Sequence, residues 1–207
     1  MPWARRRFTW MLAGLAGLAS LTPNPLGAAE WAEDAEAAGE AALWSALKSG
    51  GHLIFIRHAL TRPGIGDPPG FRLGECRTQR NLSDKGRADA RRIGQAFRAR
   101  DIPVEDVLSS RWCRCLDTAQ LAFGRFKPAP MLDSTFNDEE RMRQDKARAV
   151  LAAVAKFSGP GNLVLVTHAQ NIQALTGISP LSGELVVVKL EGQDRFRVIG
   201  RLPVPGD

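Results

Sequence analysis

The sequence predicts an α/β protein, a three-layer α/β/α sandwich with a mostly parallel central sheet. Three observations carry that prediction. The runs His52-Leu53-Ile54-Phe55-Ile56-Arg57-His58 and Leu163-Val164-Leu165-Val166-Thr167-His168 are apolar without alternation, as strands buried on both faces are. Segments with helical spacing and cap signals separate such runs, so strand and helix alternate. Each run also ends in a histidine, the first directly after an arginine. Ligands of open α/β sheets bind beyond the carboxyl ends of the strands, so both histidines fall where a site is expected. The Arg-His pair points to an anionic group there, phosphate first.

Residues 1–29 read as an export signal: Arg5-Arg6-Arg7, an apolar stretch from Phe8 to Leu21, then Gly27-Ala28-Ala29 as small residues for cleavage. Arg5-Arg6-Arg7-Phe8 resembles the twin-arginine pattern, although Ala4 replaces the usual Ser or Thr. Sec and Tat export both stay open, and periplasmic localisation is the expectation. An uncleaved anchor is the competing reading. Residues 30–207 are then a single domain.

Within it, residues 30–49 form an Ala- and Glu-rich amphipathic helix that stops at Gly50-Gly51. Strand one covers about 52–57. Residues 60–80 hold Pro63, Gly64, Gly66, Pro68, Pro69, Gly70 and Gly74, an irregular loop of the length that is often functional. A helix capped by Ser83 or Asp84 runs to about Arg100. The second strand is Asp106-Val107-Leu108-Ser109, and a helix from about Arg111 to Phe123 follows. Met131-Leu132 is read as a brief third strand. A charged helix spans 138–157 and stops at Gly159-Pro160-Gly161. Strand 163–167 and a helix over about 169–176 come next. Strands 184–190 and 195–202, joined by Gly192-Gln193-Asp194, close the chain as a hairpin.

The formal charge of +6 drops to +3 when residues 1–29 are removed, because they hold three arginines and no acid. That weakens any nucleic-acid reading. No segment supplies the ~20 apolar residues of an ordinary membrane span, so no stable insertion is expected after signal cleavage. Of the three cysteines, Cys113 and Cys115 are too close to pair with each other, so Cys76 is expected to bridge to one of them. Three free thiols are the alternative. The spacing is not that of a zinc site.

Four segments in order resemble the histidine phosphatase superfamily, in its phosphoglycerate mutase-like branch 1. Arg57-His58-Ala59 is similar to the Arg-His-Gly signature, and Asn81-Leu82-Ser83-Asp84-Lys85-Gly86 to the Leu-Thr/Ser-x-x-Gly segment after the first loop. Ser109-Ser110-Arg111-Trp112-Cys113-Arg114-Cys115-Leu116-Asp117-Thr118-Ala119 is similar to the Ser-Ser-x-x-x-Arg-Ala-x-x-Thr-Ala helix start. Thr167-His168-Ala169 is similar to the Ser-His-Gly of the second histidine. Together they cover roughly residues 50–180. The resemblance implies a phosphoglycerate mutase-like fold and a phosphatase with His58 as nucleophile. It implies Arg57 and Arg114 on the phosphoryl oxygens, His168 completing the pocket, and no metal or other cofactor. The chemistry agrees: a phosphoryl group carries about two negative charges near neutral pH, and arginine's planar fork matches its oxygens.

The general acid departs from the family pattern. Many members place a Glu where this chain has Ser134, and another branch places an Asp where this chain has Ala169. Asp133, Asp138 and Glu139 are the candidates. Arg62 and Arg80 on the long loop are candidate substrate contacts, with Arg72 and Arg77 nearby; solubility is the competing account. His52, at the far end of strand one, reads as structural or exposed. The expected partner is a small phosphorylated substrate or a phosphate on a cell-envelope glycan. Export argues against a glycolytic mutase. A phosphohistidine phosphatase and a non-catalytic binder of phosphate or phosphoglycan are the alternatives.

Overall fold

The structure, a computed structural model, describes residues 39–192 and 194–206. The predicted export signal and the first part of the 30–49 helix lie outside them. Six strands form one mixed sheet: β1 (Leu53–Arg57), β2 (Val104–Ser109), β3 (Lys127–Pro128), β4 (Asn162–Thr167), β5 (Leu185–Glu191) and β6 (Arg195–Leu202), in the order β3-β2-β4-β1-β5-β6. The first four in that order run parallel, and β5 and β6 pair antiparallel at the other edge. The predicted hairpin is therefore present, and the sheet is mostly parallel.

Alternation along the strands divides the core into two. Ile54, Ile56, Val164, Val166 and Val187 face one side, under helix α1 (residues 39–48), α2 (Asp84–Ala99) and α3 (Cys113–Phe123). Leu53, Phe55, Leu163, Leu165, Val186 and Val188 face the other, under α4 (Glu140–Val154) and α5 (Ala169–Thr176). This is the expected three-layer sandwich, because side chains two apart on a strand share a face. Burying both faces explains why the strand sequences lack polar alternation.

Ser83 caps α2, its Oγ accepting from the Gly86 amide at 3.0 Å. Gly86 is required by proximity: a Cβ there would lie 1.9 Å from the Leu60 carbonyl oxygen. The helix start thus presses on the loop that follows β1. One element differs from expectation. Met131-Leu132 is not a strand but part of a 3-10 turn, Pro130–Leu132, and the third strand lies earlier, at Lys127–Pro128. Pro130 fixes φ near a helical value at the turn's first position. Leu132 is apolar because it plugs the core beneath α4, not because it belongs to the sheet.

Candidate active site

The register of β1 against β4 builds the site. Arg57 lies opposite Thr167, and the His58 amide donates to the Thr167 carbonyl at 2.9 Å. The Ser110 amide donates to the Val166 carbonyl at 2.9 Å. The carboxyl ends of β2, β4 and β1 therefore lie side by side, and each delivers part of the site in the next residues. The two histidine rings stand edge to face, their centroids 5.4 Å apart. A cavity of about 340 Å³ opens above them, lined by Arg57, His58, Asp67, Arg80, Arg114 and His168 among others.

His58 is buried, and its Nδ1 lies 3.0 Å from the Ala59 carbonyl oxygen. A carbonyl only accepts, so Nδ1 carries the proton and Nε2 keeps its lone pair. Burial first, and then the Arg114 guanidinium, push the ring's pKa down to about 3. His58 is thus neutral over the whole working pH range. The Ala59 amide donates to Thr118 Oγ1 at 3.0 Å, and Thr118 Oγ1 donates to the Arg114 carbonyl at 2.7 Å. This ties the His58 turn to α3 one helical turn beyond Arg114, which explains the spacing from Arg114 to Thr118.

His168 is the N-cap residue of α5. Arg114 Nη2 donates toward its Nδ1 at 3.4 Å, so Nε2 bears the proton and donates to Ser110 Oγ at 2.9 Å. The Ser110 hydroxyl in turn reaches Asp133 Oδ1 at 3.4 Å. Burial, with His58 and Arg114 adding to it, keeps His168 well below the ordinary histidine range. Its other face meets Trp112, with centroids 5.6 Å apart.

Three arginines surround the cavity, and the Nε of Arg57, Arg80 and Arg114 is in each case buried without an acceptor among the described residues. Buried donors without partners are uncommon in folded proteins, and three around one cavity suit an anion with several oxygens. Burial and then mutual repulsion lower the proton affinity of Arg57, beside Arg80, and of Arg80, beside Arg114. Arg57 Nη1 is held by the Pro180 carbonyl at 2.9 Å. Arg80 Nη1 donates to Thr61 Oγ1 and the Gly64 carbonyl, both at 2.8 Å. A phosphoryl group placed here would meet positive charge on several sides and a neutral imidazole nitrogen.

The other predicted residues are spread more widely. Arg111, three residues before Arg114, clamps Asp133 through Nε at 2.8 Å and Nη2 at 2.5 Å, and neither Arg111 nor Asp133 lines the cavity. Asp138 does line it, with Lys146 Nζ 2.6 Å from its Oδ2. Glu139 is exposed and outside it. Arg80 is at the cavity, whereas Arg62 is exposed and away from it. His52 is buried, with Nδ1 2.8 Å from the Gly50 carbonyl at the opposite sheet edge, a structural role. Cys76 pairs with Cys113, leaving Cys115 free and buried. Burial pushes the Cys115 thiol up to about 12, which makes it a poor nucleophile.

Sequence reasoning missed Asp67. Its side chain is 8% exposed, and its Oδ1 lies 2.8 Å from Arg114 Nη1. Oδ1 also accepts from the Arg80 amide at 2.9 Å, and Oδ2 accepts from Trp112 Nε1 at 2.9 Å. Burial works to raise the Asp67 pKa, but the Arg80 amide, Arg114 and Trp112 together outweigh it and hold the carboxyl below its ordinary value. The available signal was charge: a loop carrying Arg62, Arg72, Arg77 and Arg80 calls for a carboxylate, and Asp67 and Glu75 are the two between 60 and 80.

Solved structures of known proteins share the fold. The same fold occurs in the protein histidine phosphatase SixA complexed with tungstate (13% identity, 73% of this chain and 96% of that one, TM-score 0.52). It also occurs in the product of open reading frame Rv3214 from Mycobacterium tuberculosis (15%, 71% and 94%, TM-score 0.53). A third example is a phosphoserine phosphatase variant from Entamoeba histolytica in complex with phosphoserine (14%, 72% and 95%, TM-score 0.51). No curated protein matches the chain. The family model of the histidine phosphatase superfamily (branch 1) matches residues 53–139, from β1 past Arg114. Over that segment, which holds Arg57, His58 and Arg114, the chain is similar to the histidine phosphatase superfamily, branch 1.

Proposed function

We propose that the protein is a metal-independent phosphatase that hydrolyses a phosphomonoester through a phosphohistidine at His58, and that it works in the periplasm after export. The observation that carries this reading is the state of His58. Its Nδ1 is fixed on the Ala59 carbonyl, and its neutral ring shares a cavity with three arginines whose Nε groups lack acceptors among the described residues. Nε2 attacks phosphorus in line with the leaving oxygen. Arg57 and Arg114 hold the non-bridging oxygens, where charge-assisted hydrogen bonds in a dry site stabilise the developing charge. The two negative charges of the arriving dianion favour uptake of a solvent proton by His168, which then adds a donor, and Ser110 with Asp133 sets its orientation. Water then cleaves the N–P bond and releases inorganic phosphate. The substrate class is a small phosphorylated molecule or a glycan phosphate.

Hydrolysis of p-nitrophenyl phosphate by the mature protein, with a chelator present, tests the reading. Activity that survives chelation and falls at least ~10³-fold in His58→Ala, as loss of a nucleophile does, is the expected result. Absence of turnover in the wild type at every pH from ~4 to 8, the range spanning carboxylate and histidine titration, would overturn it in favour of a binding protein.

A further inference from the structure

We propose that Asp67 is the proton donor to the leaving oxygen, an assignment that rests on the phosphatase reading above. An alkoxide leaving group needs a proton, and among the described residues the carboxylates that line the cavity are Asp67 and Asp138. Asp133 is tied to Arg111 through its carboxylate and stands outside the cavity. Glu139 is exposed. Asp138 reaches the cavity but has its own cation, Lys146, at 2.6 Å. Among the described residues Asp67 alone combines a place on the cavity wall with a partner that the substrate would claim, because Arg114 is its ion-pair partner and, on the phosphatase reading, holds the phosphoryl group.

That sharing couples protonation to binding. When the phosphoryl dianion takes Arg114, Asp67 loses its cation and gains two negative charges as neighbours. Both changes favour its neutral form, so the acid is generated where and when it is needed. The carboxyl stays in place meanwhile, because the Arg80 amide and Trp112 Nε1 still hold its oxygens. Its loop is also fastened to the start of α3. Cys76 is bonded to Cys113, and Gln79 Oε1 accepts from the Cys113 amide at 3.0 Å. In the first step Nε2 of His58 forms the N–P bond, and the P–O bond electrons leave with the alkoxide oxygen, which takes the Asp67 proton. In the second, Asp67 carboxylate accepts a proton from the attacking water as the O–P bond forms. The N–P electrons then return to Nε2.

The test compares kcat/KM on p-nitrophenyl phosphate and on glycerol 2-phosphate for the wild type, Asp67→Asn and Asp138→Asn. The first leaving group departs without a proton; the second needs one. Asp67→Asn is expected to lose about 100-fold or more on glycerol 2-phosphate, the range of general acid catalysis, and less than about tenfold on p-nitrophenyl phosphate. Asp138→Asn should lose equally on both. Equal losses in Asp67→Asn, or a selective loss in Asp138→Asn instead, would overturn the assignment and leave the phosphatase reading standing. The wild type gives a result independent of any variant's folding. Over a series of phosphate monoesters its kcat/KM should depend weakly on leaving-group basicity, and a steep dependence would overturn the proposal. No turnover of any ester overturns the phosphatase reading and the assignment together.

Discussion

The floor of the cavity and its rim are built on different principles. The floor consists of Arg57, His58 and His168, with Ser110 bonded beneath His168, residues at or just beyond the ends of β1, β2 and β4. Their positions follow from sheet register, and their backbones continue the ladder. The rim consists of Asp67 and Arg80 from the long loop, with Phe136 from the stretch before α4, and it is held by side chains and one disulfide. Ile65 at the loop tip is 92% exposed, whereas His168 is 2% exposed. Reactive groups on rigid elements keep their geometry, and loops are free to vary what is recognised. One sheet edge thus fixes the two histidines by register, while a loop held by side chains and a disulfide brings Asp67 and Arg80 to them.

Arg114 joins the two regions, so replacing it should have the largest effect. Arg114→Ala removes the proposed phosphoryl ligand and leaves Asp67 without its ion-pair partner Arg114. A loss of about 10²–10³ in kcat/KM on p-nitrophenyl phosphate is expected, by analogy with deleting one transition-state donor. Arg114→Lys should recover little of it, because an ammonium cannot reproduce the fork. Near-full activity in the lysine variant would mean that charge alone matters here.

Breaking the rim's covalent tie should weaken without abolishing. The Cys76–Cys113 bond spans a separation of 37 residues, and removing such a constraint costs about 2–4 kcal/mol. Cys76→Ser should therefore unfold at lower urea, with a several-fold rise in KM and a smaller change in kcat. A matched fall in kcat would place the disulfide's effect on the floor.

The floor has a pH signature of its own. His58 has its folded-state pKa depressed to about 3, and His168 lies well below its ordinary value. Each binds its proton more readily in the unfolded chain. Stability is then unaffected by them above the ordinary histidine pKa of about 6.5. It falls as pH drops below that, by up to about 1.4 kcal/mol per pH unit for each ring. Urea melts from pH 8 to 5 should show a shallower decline in His58→Gln than in the wild type. Identical slopes would mean that the His58 ring takes up a proton in the folded state. The smallest effect belongs to Arg62→Ala. This exposed residue lies off the cavity, so kcat/KM should change less than twofold, whereas Arg80→Ala should raise KM.

The same division decides what could be read from the sequence. The sandwich, the parallel strands and the helix over 169–176 follow from local pattern, and so do both histidines, because strand ends place them. Arg114 was legible only through the resemblance of its segment, and the Ala59 and Arg114 bonds to Thr118 give the spacing from Arg114 to Thr118 a physical reason. The rim was legible only as a loop rich in arginine. Which of its residues turn inward depends on contacts with Trp112 and Arg114, 45 and 47 residues away, and no local period records them. Leu132 misled because burial of one leucine looks alike in a strand and in a 3-10 turn.

The buried Cys115 bears on how the molecule matures. Successive helical residues are about 100° apart, so Cys113 and Cys115 point to nearly opposite sides of α3. One meets the loop at Cys76, and the other enters the core with no exposed surface. An extended chain offers Cys76 two equivalent partners, whereas a chain with α3 formed and packed offers one. Order of events thus replaces proofreading: collapse before oxidation yields a single isomer, and oxidation before collapse yields a mixture that must be reshuffled.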